Sequence, residues 1–277
     1  MIVRVWLLTC LAVASVMSGA LAQAPGGPGS KPEMRESCPG MVAGDMPRVI
    51  PATTRLAALA SDQVRITFIG HATFLIESPR LVRIATDYND YVKAPVMPDI
   101  VTMNHAHSTH YTDRPDAAIK YVLRGWHDDG KPATYDISYE DVRVRNVPTN
   151  IRDWNGGTER YGNSIFVFEV GGLCIAHLGH LHHTLTQQQL DDMGRIDVVM
   201  APVDGSYTLD TDGMIEVLSA IKAPLIIPMH FFSTYGLDRF LDRLGSKYPV
   251  DYNETPSMVV SRATLPPTPK VVVLPGH

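Results

Sequence analysis

Eight of the eleven histidines fall in three short stretches: "NHAHSTH" at 104–110, "HLGHLHH" at 177–183, and "IPMH" ending on His230. Each follows or closes an apolar run that reads as a strand. A chain built this way is expected to fold so that distant strand ends meet. Along an extended segment, residues i and i+2 project to one side, so His105 and His107 can address a common point. His110, past the turn, approaches from a second side. Neutral imidazole is a favoured ligand for zinc and neighbouring transition metals. One such stretch is equally compatible with a chance run of surface histidines, but three at strand ends point to a metal centre.

The rest of the chain divides simply. Residues 1–22 carry Arg4, an apolar run to about Val16 and a small-residue exit at Ala20-Leu21-Ala22, the pattern of a secretory leader cut after Ala22. An uncleaved membrane anchor is the alternative, and Cys10 has poor flanks for lipidation. The leader predicts a periplasmic or secreted protein with no stable membrane insertion after cleavage. Cys38 and Cys174 would then meet oxidising conditions, where a disulfide is permitted; a buried free thiol at Cys174 is the other reading. Residues 23–60 form a Pro/Gly-rich extension, and residues 61–277 form the folded domain. With 45% of the whole chain hydrophobic, it can bury a substantial core. A net charge of -5 without a basic stripe argues against nucleic acid and leaves a small-molecule substrate.

Within the domain, "VRITFIGHATFLIES" predicts two strands around Gly70, and "RLVRIATD" a third ending at Asp87. "DIVTM", "ATYDISYEDVRVRNVPT", "NSIFVFEVGGLCIAHLG", "IDVVMAPV", "PLIIPMH" and "VVVLPG" continue the strands. Helices are expected over "RPDAAIKYVLRG", capped by Asp113 and stopped by Gly125, and over "LTQQQLDDMG", capped by Thr184 or Thr186. "DTDGMIEVLSAIKA" is another, and "LDRFLDRLGSKY" precedes the last strand. The result is a layered α/β arrangement with candidate residues at strand ends.

The landmarks "FIGHATFLIES", "IATD", "PDIVTMNHAHSTH", "GLCIAHLGH", "IDVVMAPVDGSYTLD" and "APLIIPMH" stand in the order and spacing of a known family. From about Val64 onward the chain resembles the metallo-β-lactamase superfamily. It is most similar to the branch of ascorbate-6-phosphate lactonase-like proteins and related zinc-dependent hydrolases. The resemblance implies a four-layer αββα sandwich with its metal centre at one edge, and hydrolysis by a metal-bound hydroxide.

Several motif positions depart from that family. Its HxHxDH falls on His105, His107, Thr109 and His110, so a threonine replaces the aspartate. Asn150 or a neighbour stands where a further histidine is expected, and the bridging aspartate is His180. The last ligand is kept as His230. The implied ligand set His105, His107, His110, His180 and His230 is neutral, and two dications about 3.5–4 Å apart would repel strongly without carboxylates. One zinc ion is therefore expected, with a second uncertain. His105, His107 and His180 could form one cluster, and His110, His180 and His230 another. His177, Asp87, His71 and Asn150 are expected behind the ligands or as substitutes for them, although His71 is equally readable as a buried structural residue. His182 and His183 read as solvated, and His127 has no clustered partner.

Thr109 cannot act as a base at neutral pH. Asp204 is the candidate to take over the lost aspartate's role, the alternative being an exposed turn residue in "DG"; Tyr207, Tyr111 and Asn150 are candidate hydrogen-bonders to substrate. The function expected is an exported metal-dependent hydrolase acting on an ester, lactone, amide or phosphoester. Its alternative is a metal- or ligand-binding relative with little or no turnover. Antibiotic hydrolysis ranks behind both.

Overall fold

The computed structural model describes residues 58–276 apart from Ala106 and Trp154. The leader, most of the Pro/Gly-rich extension and Cys38 lie outside the described residues. Cys174 is buried and disulfide-bonded, so it is not the free thiol of the alternative reading. Among the described residues no helix is long and apolar enough to cross a membrane.

The chain runs β1 (Gln63–Gly70), β2 (Thr73–Glu77), β3 (Arg83–Ala85), β4 (Ile100–Met103), β5 (Tyr121–Arg124), β6 (Asp136–Tyr139), β7 (Val142–Arg152), β8 (Thr158–Val170) and β9 (Leu173–His177). It continues through α1 (Gln187–Met193), β10 (Val198–Pro202), α2 (Thr211–Ile221), β11 (Leu225–Met229), α3 (Thr234–Leu244), β12 (Val250–Tyr252), β13 (Ser257–Ser261) and β14 (Lys270–Val273). These strands make two sheets. One has six strands in the order β13-β1-β2-β3-β4-β5, the other eight in the order β12-β14-β11-β10-β9-β8-β7-β6.

The two sheets face each other across an apolar layer. Ile66, Phe68, Phe74, Ile76, Ile84 and Ile100 from the first meet Val144, Phe166, Phe168, Ile175, Met200 and Ile227 from the second. The three helices cover the other face of the larger sheet. Met214, Val217, Leu218 and Ile221 recur at helical spacing along α2 and pack, with Leu237 and Phe240 of α3, on Val199, Ala201 and Ile226. Strands β9, β10 and β11 are thus covered on both sides, which is why they read as unbroken apolar runs. The arrangement is consistent with an αββα sandwich whose helices, among the described residues, lie on the larger sheet.

Its fourth layer departs from expectation. Residues 113–120 are turns and loop, and the segment read as a helix ends in β5. The packing explains the difference. Leu123 enters the core between the sheets, while its neighbour Val122 packs into a separate outer cluster of Ala85, Tyr88, Val101, Met103, Ile119 and Trp126. Adjacent residues on opposite faces are a strand property. The open edge of the fully buried β4 takes this strand in parallel register, Ile100 opposite Tyr121 through Met103 opposite Arg124. The other expected elements form, α1 being capped by Thr186 in a reciprocal capping box with Gln189.

Candidate metal centre

Six strand ends deliver the cluster: β1 leads to His71, β3 to Asp87, β4 to the 104–110 loop, β9 to His180, β10 to Asp204 and β11 to His230. His71, Asp87 and His230 sit in the left-handed region at φ 53°, 42° and 55°, a conformation costly for residues with a Cβ. The turns are held from outside: the His230 amide donates to the His71 carbonyl at 2.7 Å, and Thr73 Oγ1 donates to the Asp87 carbonyl.

Two imidazoles are anchored from behind by carboxylates. His110 Nδ1 lies 2.7 Å from Asp87 Oδ2, and His230 Nδ1 lies 3.0 Å from Asp204 Oδ1. Both pairs are buried. Asp87 also accepts from the Asn104 amide. Asp204 accepts from the Ser206 and Tyr207 backbone and from the hydroxyls of Ser206 and Thr208. An ionised carboxylate opposite Nδ1 fixes the proton there and leaves a lone pair on Nε2. Those two Nε2 atoms face each other at 3.2 Å, and His71 brings a third ring 4.1 Å from that of His230. One ligand atom from each of His71, His110 and His230 lies within 4.8 Å of the other two. His71 Nε2 is buried without a hydrogen-bond partner.

Burial keeps three of the clustered rings in the neutral form. Burial, joined by repulsion from His230 and His110, lowers His71 to about 3. Burial likewise holds His110 and His180 well below the ordinary imidazole value. Asp87, wholly enclosed, is pushed up by burial to about 6, against the pull of His177 and the Asn104 amide. The Asn104 amide and the facing His110 ring nitrogen favour its ionised form. Burial would also raise Asp204, but hydrogen bonds from His230 and Thr208 outweigh it and hold the carboxyl well below its usual range.

The remaining candidates divide. His107 is half-buried, its ring 4.8 Å from His180 and 6.4 Å from His110, so it borders the cluster. His180 lies 4.8 Å from the rings of His107, His110 and His230. His105 does not join them. Its ring stacks on Trp126 at 4.9 Å, and its Nδ1 meets Glu159 at 2.8 Å. Beyond β4 the chain is already turning, with the His110 amide donating to the His107 carbonyl, so the i, i+2 rule for extended backbone lapses there.

His177 points into the core, where Nε2 meets the Ala72 carbonyl at 2.8 Å. Asn150 accepts from the Tyr161 amide between β7 and β8. Thr109 is half-buried in the turn before His110. Tyr207 is 60% exposed at the rim, its ring 6.3 Å from His107 and 5.5 Å from Phe232. Phe232, not singled out in the sequence, stands 5.3 Å from His230 and 5.6 Å from His71. Tyr111 packs instead beside His105 and Trp126.

Two expectations are corrected outright. Asp204 is not an exposed turn residue: its carboxylate organises residues 206–208 and holds His230. His182 is not solvated: it is buried, and it bonds His180 on one side and the Arg152 amide on the other. The i, i+2 spacing of His180 and His182 was the available signal.

A family model described as a β-lactamase superfamily domain matches residues 65–230, from β1 to the last histidine of the cluster. The chain belongs to the metallo-β-lactamase superfamily. A metal-dependent hydrolase of the UPF0173 group from Thermoplasma acidophilum is 30% identical over 201 residues, covering 64% of this chain and 87% of the relative. A second UPF0173 hydrolase, from Methanoculleus marisnigri, is 28% identical over 182 residues, covering 61% and 81%. Among solved structures, one from Thermotoga maritima, assigned to the superfamily as a zinc-dependent hydrolase, superposes with a TM-score of 0.56 at 28% identity. It covers 77% of this chain and all of the other. A metallo hydrolase from Ignicoccus hospitalis, at 19% identity and a TM-score of 0.52, shares the fold. By family the chain is a hydrolase, and the αββα sandwich is the superfamily's own.

Proposed function

We propose that this chain is an exported hydrolase working with one divalent ion, zinc, held by His71, His110 and His230. Its substrate would be a small ester, lactone, amide or phosphoester. The observation that carries the reading is the pair of Nε2 atoms 3.2 Å apart, each left with a lone pair by the carboxylate behind it. Two lone pairs at that distance repel unless a cation lies between them. Nitrogens about 2.0–2.1 Å from one tetrahedral zinc sit about 3.3 Å apart, so the separation fits two imidazoles sharing an ion. The unpartnered His71 Nε2 suits a third position.

The charge balance also favours a single ion. Asp87 and Asp204 each stand one imidazole away from it, and together they offset two positive charges. No second pair of inward carboxylates accompanies them in the cluster of described residues. Bound there, a zinc ion would acidify water and polarise the scissile carbonyl or phosphoryl group. The chain's own part is to hold His110 and His230 in fixed tautomers, to bring His71 beside them, and to seat substrate beneath Phe232 and Tyr207. Residues 1–22 support export, which fractionation of cells expressing the full chain tests.

The decisive experiment is metal analysis of the purified protein after zinc loading, paired with a panel of p-nitrophenyl esters, lactones and phosphodiesters. One zinc per chain, lost in His230→Ala, together with turnover of at least one class, is the expected result. Two zinc ions per chain, or none, would refute the single-ion site; one zinc without turnover would favour a binding protein.

A further inference from the structure

At the position where the family resemblance implies an aspartate, a chain of hydrogen bonds assigns His180 a different task. The backbone amide of Arg152 can only donate, and it meets His182 Nδ1 at 2.6 Å. His182 Nδ1 must therefore accept, which puts the proton of this neutral ring on Nε2. That Nε2 lies 2.6 Å from His180 Nδ1, and so donates to it. His180 Nδ1 accepts in turn, and the proton of the His180 ring is left on its own Nε2. This is the reverse of His110 and His230, whose carboxylates leave Nε2 bare.

His180 Nε2 is buried and has no hydrogen-bond partner, while its ring stands nearly perpendicular to those of His107, His110 and His230. The backbone is fixed as well. Asn163 Oδ1 accepts from the His180 amide, and Gly179, at φ 61°, packs so closely that an added Cβ would lie 2.4 Å from Asn104 and Asn163. The ring is thus held by its amide, by its Nδ1 and by a neighbour whose tautomer is set by main chain.

We infer that His180 is not a metal ligand but a fixed N–H donor, held in that tautomer by the Arg152–His182 relay to receive an oxygen of the bound ligand. A lone pair is what a metal needs, and His180 Nε2 has none unless a 2.6 Å bond breaks. A buried donor with nothing to donate to is unfavourable, and a carbonyl, carboxylate or phosphoryl oxygen arriving beside His110 and His230 supplies the acceptor. The choice of ligand oxygen rests on the metal site proposed above; the tautomer does not. In a hydrolase such a donor would stabilise the charge that grows on the attacked carbonyl or phosphoryl oxygen.

The test separates the two. Two-bond proton–nitrogen correlation spectra of the full chain labelled with 15N-histidine report each ring's tautomer, with and without zinc. His180 is expected to show a protonated Nε2 in both states, while the Nε2 signals of His110 and His230 move on zinc addition. A His180 Nε2 that is bare without zinc, or metal-shifted with it, overturns the inference. His180→Ala should keep zinc affinity within about twofold yet weaken binding of acetate or inorganic phosphate to the zinc-loaded protein about tenfold. Loss of zinc affinity by a hundredfold or more would mean that His180 is a ligand after all; unchanged affinity for both anions would remove its role as donor. If zinc fails to bind the unmodified chain, the metal reading falls, and the zinc-free spectra still decide the tautomer.

Discussion

Replacing Asp204 by asparagine tests the support of the site without touching a proposed ligand. The carboxylate makes two sets of bonds. Oδ1 meets His230 Nδ1 and the Thr208 hydroxyl, and Oδ2 accepts from the amides of Ser206 and Tyr207 and from the Ser206 hydroxyl. An asparagine has one oxygen and one amino group, so either His230 or the loop amides must face a donor. Partners of this kind behind a metal-bound histidine are worth about 10–100-fold in metal affinity. At about 1.4 kcal/mol per tenfold, that is roughly 1.4–2.8 kcal/mol of zinc binding. The loop adds its own loss, since each stranded buried donor costs about 1–3 kcal/mol. Zinc competition against a chromogenic chelator measures the first effect, and urea unfolding of the metal-free protein the second. The sign with pH follows from the depressed carboxyl. The stability Asp204 contributes is complete above its unfolded value of about 4 and is lost as pH falls below that toward the folded value. The metal-free asparagine variant should therefore lack this part of the acid limb. Zinc affinity within twofold of the unmodified protein, in a variant that still unfolds cooperatively, would refute the role given to Asp204.

His105→Ala should leave zinc affinity within about twofold, as measured by the same competition, whereas His110→Ala should abolish tight binding. Gly179→Ala is expected to destabilise the fold by about 2–4 kcal/mol in urea unfolding, because it needs both a positive φ and the space now filled by Asn104 and Asn163. Phe240→Ala, which empties a fully buried place between α3 and the larger sheet, should cost about 3–5 kcal/mol while leaving zinc stoichiometry at one.

Much of the scaffold is legible because its signals are local. The Thr186 and Gln189 capping box marks α1, and the runs that become β10 and β11 are apolar throughout because helices and a second sheet enclose them. The strand β5 is not legible in this way. Pro115, Asp113 and Gly125 supply helix punctuation, and the deciding influence is the distant edge of β4, which needs a partner. The site shows the same division. That strand ends would gather histidines follows from the pattern, but which histidines face inward is set by turns. His105 is withdrawn by Trp126 and Glu159, residues with no sequence signal linking them to it. His71 enters because a left-handed residue after β1 swings its ring back toward His230. Asp204 sits in an Asp-Gly pair that ordinarily marks an exposed turn, and only the path of β10 beside β11 carries it to His230.

The left-handed backbone at His71, Asp87 and His230 has an evolutionary corollary. Glycine at any of the three would relax the main chain and also delete an imidazole or the carboxylate behind one. A screen that rewards heat resistance alone would therefore enrich variants with a hardier scaffold and no chemistry. Engineering of this chain has to select for turnover at every round, because three of its left-handed backbone positions carry side chains of the proposed site.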